Sequence, residues 1–78
     1  MHYKDTVYVN GVPVEVSTID LSMTGFGHGY ETCLFFTGGD SDVVDSYSTA
    51  DKARAGHEAW LDEARIIKAW EDYRALWS

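Results

Sequence analysis

The chain predicts an α+β fold: a four-stranded antiparallel meander with one long C-terminal helix packed on one face, a single β-β-β-β-α domain spanning residues 1–78. Three observations carry this. Asn10-Gly11 stands between two runs rich in β-branched residues, the strongest short-range hairpin signal. Valines 7, 9, 12, 14 and 16 mark out one apolar face around that turn. From residue 49 onward the chain changes to helix formers with apolar residues recurring at helical spacing.

Thr6–Val9 and Val12–Ile19 form the first hairpin, because Asn-Gly supplies the positive φ angles of a type I′ turn. Pro13 has no N–H to donate, which places its strand at an edge or puts the residue at a gap in the ladder. Ser22–Gly29 is a glycine-rich connector around Phe26 and His28. Tyr30–Thr37 is the third strand, and its continuous apolar run from Cys33 to Phe36 predicts a central strand covered on both sides. Gly38-Gly39-Asp40-Ser41 is a turn and Val43–Tyr47 a short fourth strand. Ser48 or Thr49 caps the helix, with Asp51 at the positive end of its dipole.

That helix carries two apolar rows. Ala53, His57, Trp60, Leu61, Ala64 and Ile67 fall within roughly 120° of one another, and Ile66, Trp70, Tyr73 and Trp77 point roughly 150° away from them. One row suits an internal core; the other needs either a break or bend near Arg65–Lys68 that folds it onto the sheet edge or the N-terminal segment, or a partner. Burying four large apolar side chains contributes up to about 6–12 kcal/mol, comparable with the whole stability of a small domain. Ile66, Trp70, Tyr73 and Trp77 are therefore the first candidate contacts, since Trp and Tyr are favoured interface anchors.

Thirteen acidic residues against six basic ones give a net charge of −7. Binding nucleic acid directly through its phosphates needs clustered Lys and Arg, so that class is not expected. The charge suits solubility; the sharper alternative is an acidic surface that docks on a basic groove and imitates nucleic acid. Such a mimic would use Asp40, Asp42, Asp45, Asp62 and Glu63. No apolar run reaches the length of a membrane span, no secretory signal is visible at the start, and a lone Cys33 forms no internal disulfide. A cytoplasmic setting without membrane contact is the expectation.

The candidates for chemistry have plainer explanations. Gly25-Phe26-Gly27-His28-Gly29 lacks the following helix and the cation of a phosphate loop, although Phe26 remains a candidate contact on a loop. His57-Glu58-Ala59-Trp60-Leu61 lacks the second histidine of a zincin; His57 is read as a rim residue that hydrogen-bonds a strand or loop, with Gly56 allowing close approach of helix and sheet. Asp40, Asp42 and Asp45 lack the glycine and glutamate of an EF-hand and read as a solvated turn. Cys33 reads as a small hydrophobe. No catalytic, cofactor-binding or metal-binding residue is assigned.

Tyr30-Glu31-Thr32-Cys33-Leu34-Phe35, Tyr47-Ser48-Thr49 and Ala55-Gly56-His57 together resemble a pattern found in small proteins encoded by bacteriophages of actinobacteria. The pattern is a Glu-Thr-hydrophobic-hydrophobic-Phe strand, an acidic turn, a Tyr-x-Thr cap and a Gly-His helix. It covers about a third of the chain, and Cys33 stands where methionine or another apolar residue is expected. The group brings no activity with it. The resemblance implies a phage origin, a host-cytoplasmic or virion setting, and a structural Gly-His pair.

The function expected on these grounds is that of a non-catalytic phage accessory protein. It would bind a host or phage macromolecule through the aromatic helix face, with Phe26, Asp40, Asp42 and Asp45 as secondary contacts. One form of such binding is the blocking of a host defence or regulatory complex. The partner is another protein or a second copy of the chain. The alternative is a minor virion or assembly component built on self-association. A small enzyme or metal-binding protein comes third, and would need a cleft holding His28 or His57 beside a carboxylate.

Overall fold

A computed structural model describes residues 2–25 and 27–76. Strands β1 (His2–Val9), β2 (Val12–Asp20), β3 (Tyr30–Phe35) and β4 (Ser41–Tyr47) form one antiparallel sheet in the order β1-β2-β3-β4, the meander expected. Asn10 (φ 51°) and Gly11 (φ 81°) both take positive φ and close the first hairpin. Pro13 sits where the gap explanation places it. It pairs with Tyr8 of β1, while the β2–β3 ladder begins only at Glu15↔Phe35.

The helical half departs from the expectation of one long helix. Two helices follow the sheet, α1 (Ala50–Ala59) and α2 (Glu63–Ala75). Thr49 caps α1, accepting from the N–H of Lys52. The interruption lies at 60–62, earlier than a bend at Arg65–Lys68. Trp60 closes α1 by donating its N–H to the carbonyls of Gly56 and His57. Asp62 is extended (φ −142°, ψ 112°), and its carboxylate accepts from the N–H of Arg65 at 3.2 Å. Asp62 is thus an N-cap inside what reads as a continuous helical pattern.

The interruption resolves the two apolar rows. A straight helix presents only one of them to a sheet; two helices with a turn between them present the first part of one and the second part of the other. Ala53, His57 and Trp60 are buried beneath α1, and Ile66 beneath α2, where Ala69 and Trp70 also pack on the core. Leu61 and Ala64, assigned to the core row, are exposed instead.

Both helices lie on one side of the sheet. α1 crosses β2, β3 and β4, and α2 returns to β1. The core joins Val14, Val16, Leu34 and Phe36 to Trp60 and Ile66. Among the described residues nothing covers the other sheet face, so the apolar run in β3 is buried on one side only. Leu34 and Phe36 point into the core, whereas Phe35 is 44% exposed and Cys33 half-buried. A break in register opposite Thr32/Cys33 pairs Thr32 with Asp45 but Leu34 with Asp42. That extra residue in β4 turns both carboxylates toward the helices and leaves Val44 packed against the core.

Candidate functional site

Beneath α1 the covered face becomes polar. Tyr3, Thr18 and Thr32 lie side by side across β1, β2 and β3, and α1 lowers His57 onto them. His57 Nδ1 is 2.7 Å from Thr18 Oγ1, which is 2.5 Å from Thr32 Oγ1, which is 3.1 Å from the Tyr47 phenol. On the other side His57 Nε2 is 2.8 Å from the Asp5 carboxylate. Thr18 and Thr32 are fully buried and His57 is 3% exposed, while the Asp5 side chain is 54% exposed. A line of polar contacts therefore runs from a surface carboxylate on β1, across the sheet, to β4.

The line is chemically consistent. A carboxylate only accepts, so Nε2 carries the hydrogen given to Asp5. With the ring neutral, Nδ1 accepts from Thr18, Thr18 from Thr32, and Thr32 from Tyr47. With the ring doubly protonated, the hydroxyls reverse and the line still closes. Among the described residues no buried side-chain nitrogen or oxygen lacks a partner, as burial of polar groups demands. Burial, the largest influence, pushes the Tyr47 phenol above its ordinary value near 10.

Gly56 makes this arrangement possible. A methyl built on it would overlap Cε1, Cζ and the phenol oxygen of Tyr47, so only glycine lets the ring lie under the helix. Thr32, Tyr47, Gly56 and His57 converge on one spot, and Thr49 caps the same helix. The expected hydrogen bond from His57 to a strand and the close approach at Gly56 agree with this geometry, but His57 is buried under α1 rather than placed at the rim. Sequence reasoning missed Asp5, Thr18 and the role of Tyr47. Alternation along β1 and β2 could have placed Asp5 and Thr18 on the valine face, where a polar residue needs a partner.

A carboxylate, an imidazole and a hydroxyl in line also describe a nucleophilic relay. Here the hydroxyl belongs to Thr18, sealed beneath α1, and neither groove described below is lined by Thr18 or His57.

The second aromatic row occupies a different place. Phe36, Trp70 and Tyr73 form a ring cluster, with Phe36–Trp70 centroids 4.7 Å apart and Trp70–Tyr73 stacked at 5.8 Å. Between this cluster and the β1–β2 hairpin runs a groove of about 370 Å³, floored by Val9, Val14, Phe36, Ile67 and Trp70 and edged by Val12, Glu71 and Arg74. Ile66 closes its base and is almost wholly buried, so it is a core residue rather than an exposed contact. A second groove lies between β4 and α2, lined by Asp42, Val44, Trp60, Arg65, Lys68 and Asp72.

The acidic candidates do not converge. Asp40 accepts from the Tyr73 hydroxyl at 3.4 Å, and Asp42 lines the second groove. Asp45 lies 3.4 Å from the Trp60 indole nitrogen and 3.8 Å from the Arg65 guanidinium, which itself stacks 3.9 Å over the Trp60 ring. Among the described residues no group of three or more histidine, cysteine or carboxylate side chains is arranged to hold a metal ion. His28 is exposed on its loop. Phe26 and Trp77 lie outside the described residues. Cys33 sits on the uncovered sheet face, its thiol pushed up chiefly by burial.

Compared with family models, with curated proteins and with solved structures, the chain matches none. Among the described residues no helix is long and apolar enough to cross a membrane.

Proposed function

We propose that this is a non-catalytic accessory protein of phage origin that binds a host or phage macromolecule through the aromatic side of α2, where that helix meets the β1–β2 hairpin. The observation that carries the reading is the apolar groove left open among the described residues. Val12 is 46% exposed at its rim although it belongs to the valine face of the hairpin, and Trp70 and Ile67 are half-buried along its floor. Concave apolar surface with an accessible tryptophan is the kind of place where binding energy concentrates. The non-catalytic part rests on the sealing of the one relay-like line of side chains beneath α1.

The phage origin rests on the resemblance, which gains meaning from the convergence of its residues. The pattern describes how a helix is seated on a sheet, not a reactive centre. The groove, which the pattern does not include, is free to differ in what it binds.

A photo-cross-linking residue at position 12, compared with one at the exposed position 54 on α1, tests the reading in cells making the full chain. A discrete adduct at 12, absent at 54 and lost on Ile67→Ser with the fold retained by circular dichroism, supports it. Equal labelling at both positions, unchanged by Ile67→Ser, refutes it. Solution mass by light scattering across concentration then separates a second copy from a different partner.

A further inference from the structure

The polar line beneath α1 has a carboxylate at each end. On β1, Asp5 lies 2.8 Å from His57 Nε2. At the other end Asp45 acts on the Tyr47 phenol through its charge and as a hydrogen-bond acceptor, second to burial among the causes that push the phenol up. Between the two carboxylates the line passes only through an imidazole and three hydroxyls, groups that both donate and accept. Each hydroxyl has a single hydrogen, so the direction in which one member donates fixes the direction of the next.

We infer that this line is a proton-controlled switch: a second proton on the His57 ring turns the Thr18, Thr32 and Tyr47 hydroxyls round together and hands the phenol hydrogen to Asp45. With the ring neutral, Nδ1 accepts from Thr18 and the Tyr47 hydrogen is committed to Thr32. A proton taken from solvent forms a new N–H bond at Nδ1 and makes that atom a donor. Thr18 then donates to Thr32 and Thr32 to the phenol oxygen, which releases the phenol hydrogen to the Asp45 carboxylate. No O–H bond breaks, and each buried group keeps a partner in both states.

The switch has somewhere to act. Asp45 also lies 3.4 Å from the Trp60 indole nitrogen and 3.8 Å from the Arg65 guanidinium, the residues that close α1 and begin α2. A phenol that donates to Asp45 competes with both, so the state of the ring under α1 reaches the turn between the helices and the bank of the second groove. This coupling does not depend on what the hairpin–α2 groove binds.

The other groups around the line are accounted for. β1 adds the Tyr3 ring, 5.5 Å from that of His57. On β2 Asp20 follows Thr18 on the same face, and its carboxylate is held by the Ser22 N–H and hydroxyl at 3.0 and 2.6 Å. Tyr30 stands opposite Asp20 on β3. On α1 itself Arg54 and Glu58 are exposed, and α2 contributes Arg65 through Asp45.

The test is a pH titration of the full chain by NMR, read at the His57 ring nitrogens, Tyr47 Cζ and the Trp60 indole N–H. The wild type is expected to hold the Nε2–H form of the ring at high pH and to show one shared midpoint at all three sites. Thr18→Val interrupts the line while leaving the ring charge in place, and is expected to abolish the Tyr47 response; Thr18→Ser restores it. Tyr47→Phe, which removes only a hydroxyl, is expected to abolish the Trp60 response while His57 still titrates. Asp5→Asn changes the charge at the exposed end, and whatever midpoint the ring then shows, Tyr47 is expected to share it. A ring that keeps one protonation state until the chain unfolds overturns the switch, as does an Nδ1–H form at high pH. Separate midpoints also overturn it, and so does a Tyr47 response that survives Thr18→Val or a Trp60 response that survives Tyr47→Phe, since the ring charge would then act through space.

Discussion

Replacing Gly56 by alanine inverts an ordinary rule. In a helix interior that change stabilises by about 1 kcal/mol, because glycine has the greater backbone freedom to lose. Here the added methyl would fall inside the ring of Tyr47, at distances that no packed pair of carbons tolerates. The ring is held from below by its hydrogen bond to Thr32. Overpacking of this kind costs about 1–3 kcal/mol, and loss of the Tyr47–Thr32 bond adds about 0.5–1.5 kcal/mol. Net of the helix gain, Gly56→Ala is expected to destabilise by about 0.5–3.5 kcal/mol. Urea unfolding followed by circular dichroism reads this as a lower midpoint with an unchanged slope. The decisive control is Tyr47→Ala. In that background Gly56→Ala regains its ordinary sign, giving a coupling energy of roughly 1.5–4.5 kcal/mol across the cycle. A Gly56→Ala protein more stable than wild type, or a cycle without coupling, would refute the seating of Tyr47 beneath α1.

Three further outcomes follow from the same geometry. Thr18→Val keeps the shape but leaves His57 Nδ1 without its partner beneath the helix and Thr32 with Tyr47 alone, and is expected to lower stability by about 1–3 kcal/mol in the same urea assay; a neutral result would mean that the polar line contributes nothing. Asp62→Ala removes the cap of α2 and is expected to cost about 1 kcal/mol, with amide exchange quickening first at Glu63–Ile66. Because the folded phenol of Tyr47 titrates above its ordinary value near 10, its contribution is whole below that pH and is lost as pH rises through the folded value. Wild type should therefore lose stability more steeply than Tyr47→Phe above pH 10, and parallel curves would contradict the assignment.

The seating of α1 on the sheet depends on four residues from three elements. Thr32 and Tyr47 come from neighbouring strands, and Gly56 and His57 from the helix above them. Each residue type is required by the others. Glycine admits the ring, the ring reaches the threonine, and the threonine line gives the buried imidazole a partner.

The four strands, the Asn10-Gly11 turn, the meander order and a cap at Ser48 or Thr49 were legible in the sequence because each depends on residues close together in the chain, although β1 begins at His2 rather than Thr6 and Thr49 is the cap. So was the conflict between two apolar rows in residues 50–76, which no straight helix could satisfy against one sheet. The place of its resolution was not legible. Aspartate is tolerated inside a helix as well as at its cap, and Asp62 became a cap because the sheet needed Trp60 and Ile66 on the same side. Whether Trp70 was core or surface likewise depended on how far α2 swings back over β1, a distance set by packing among residues remote in sequence. The partnership of Asp5, Thr18 and His57 joins positions more than ten residues apart on three elements. Local periodicity determined which face each would occupy, and only the assembled tertiary structure decided that those faces would meet.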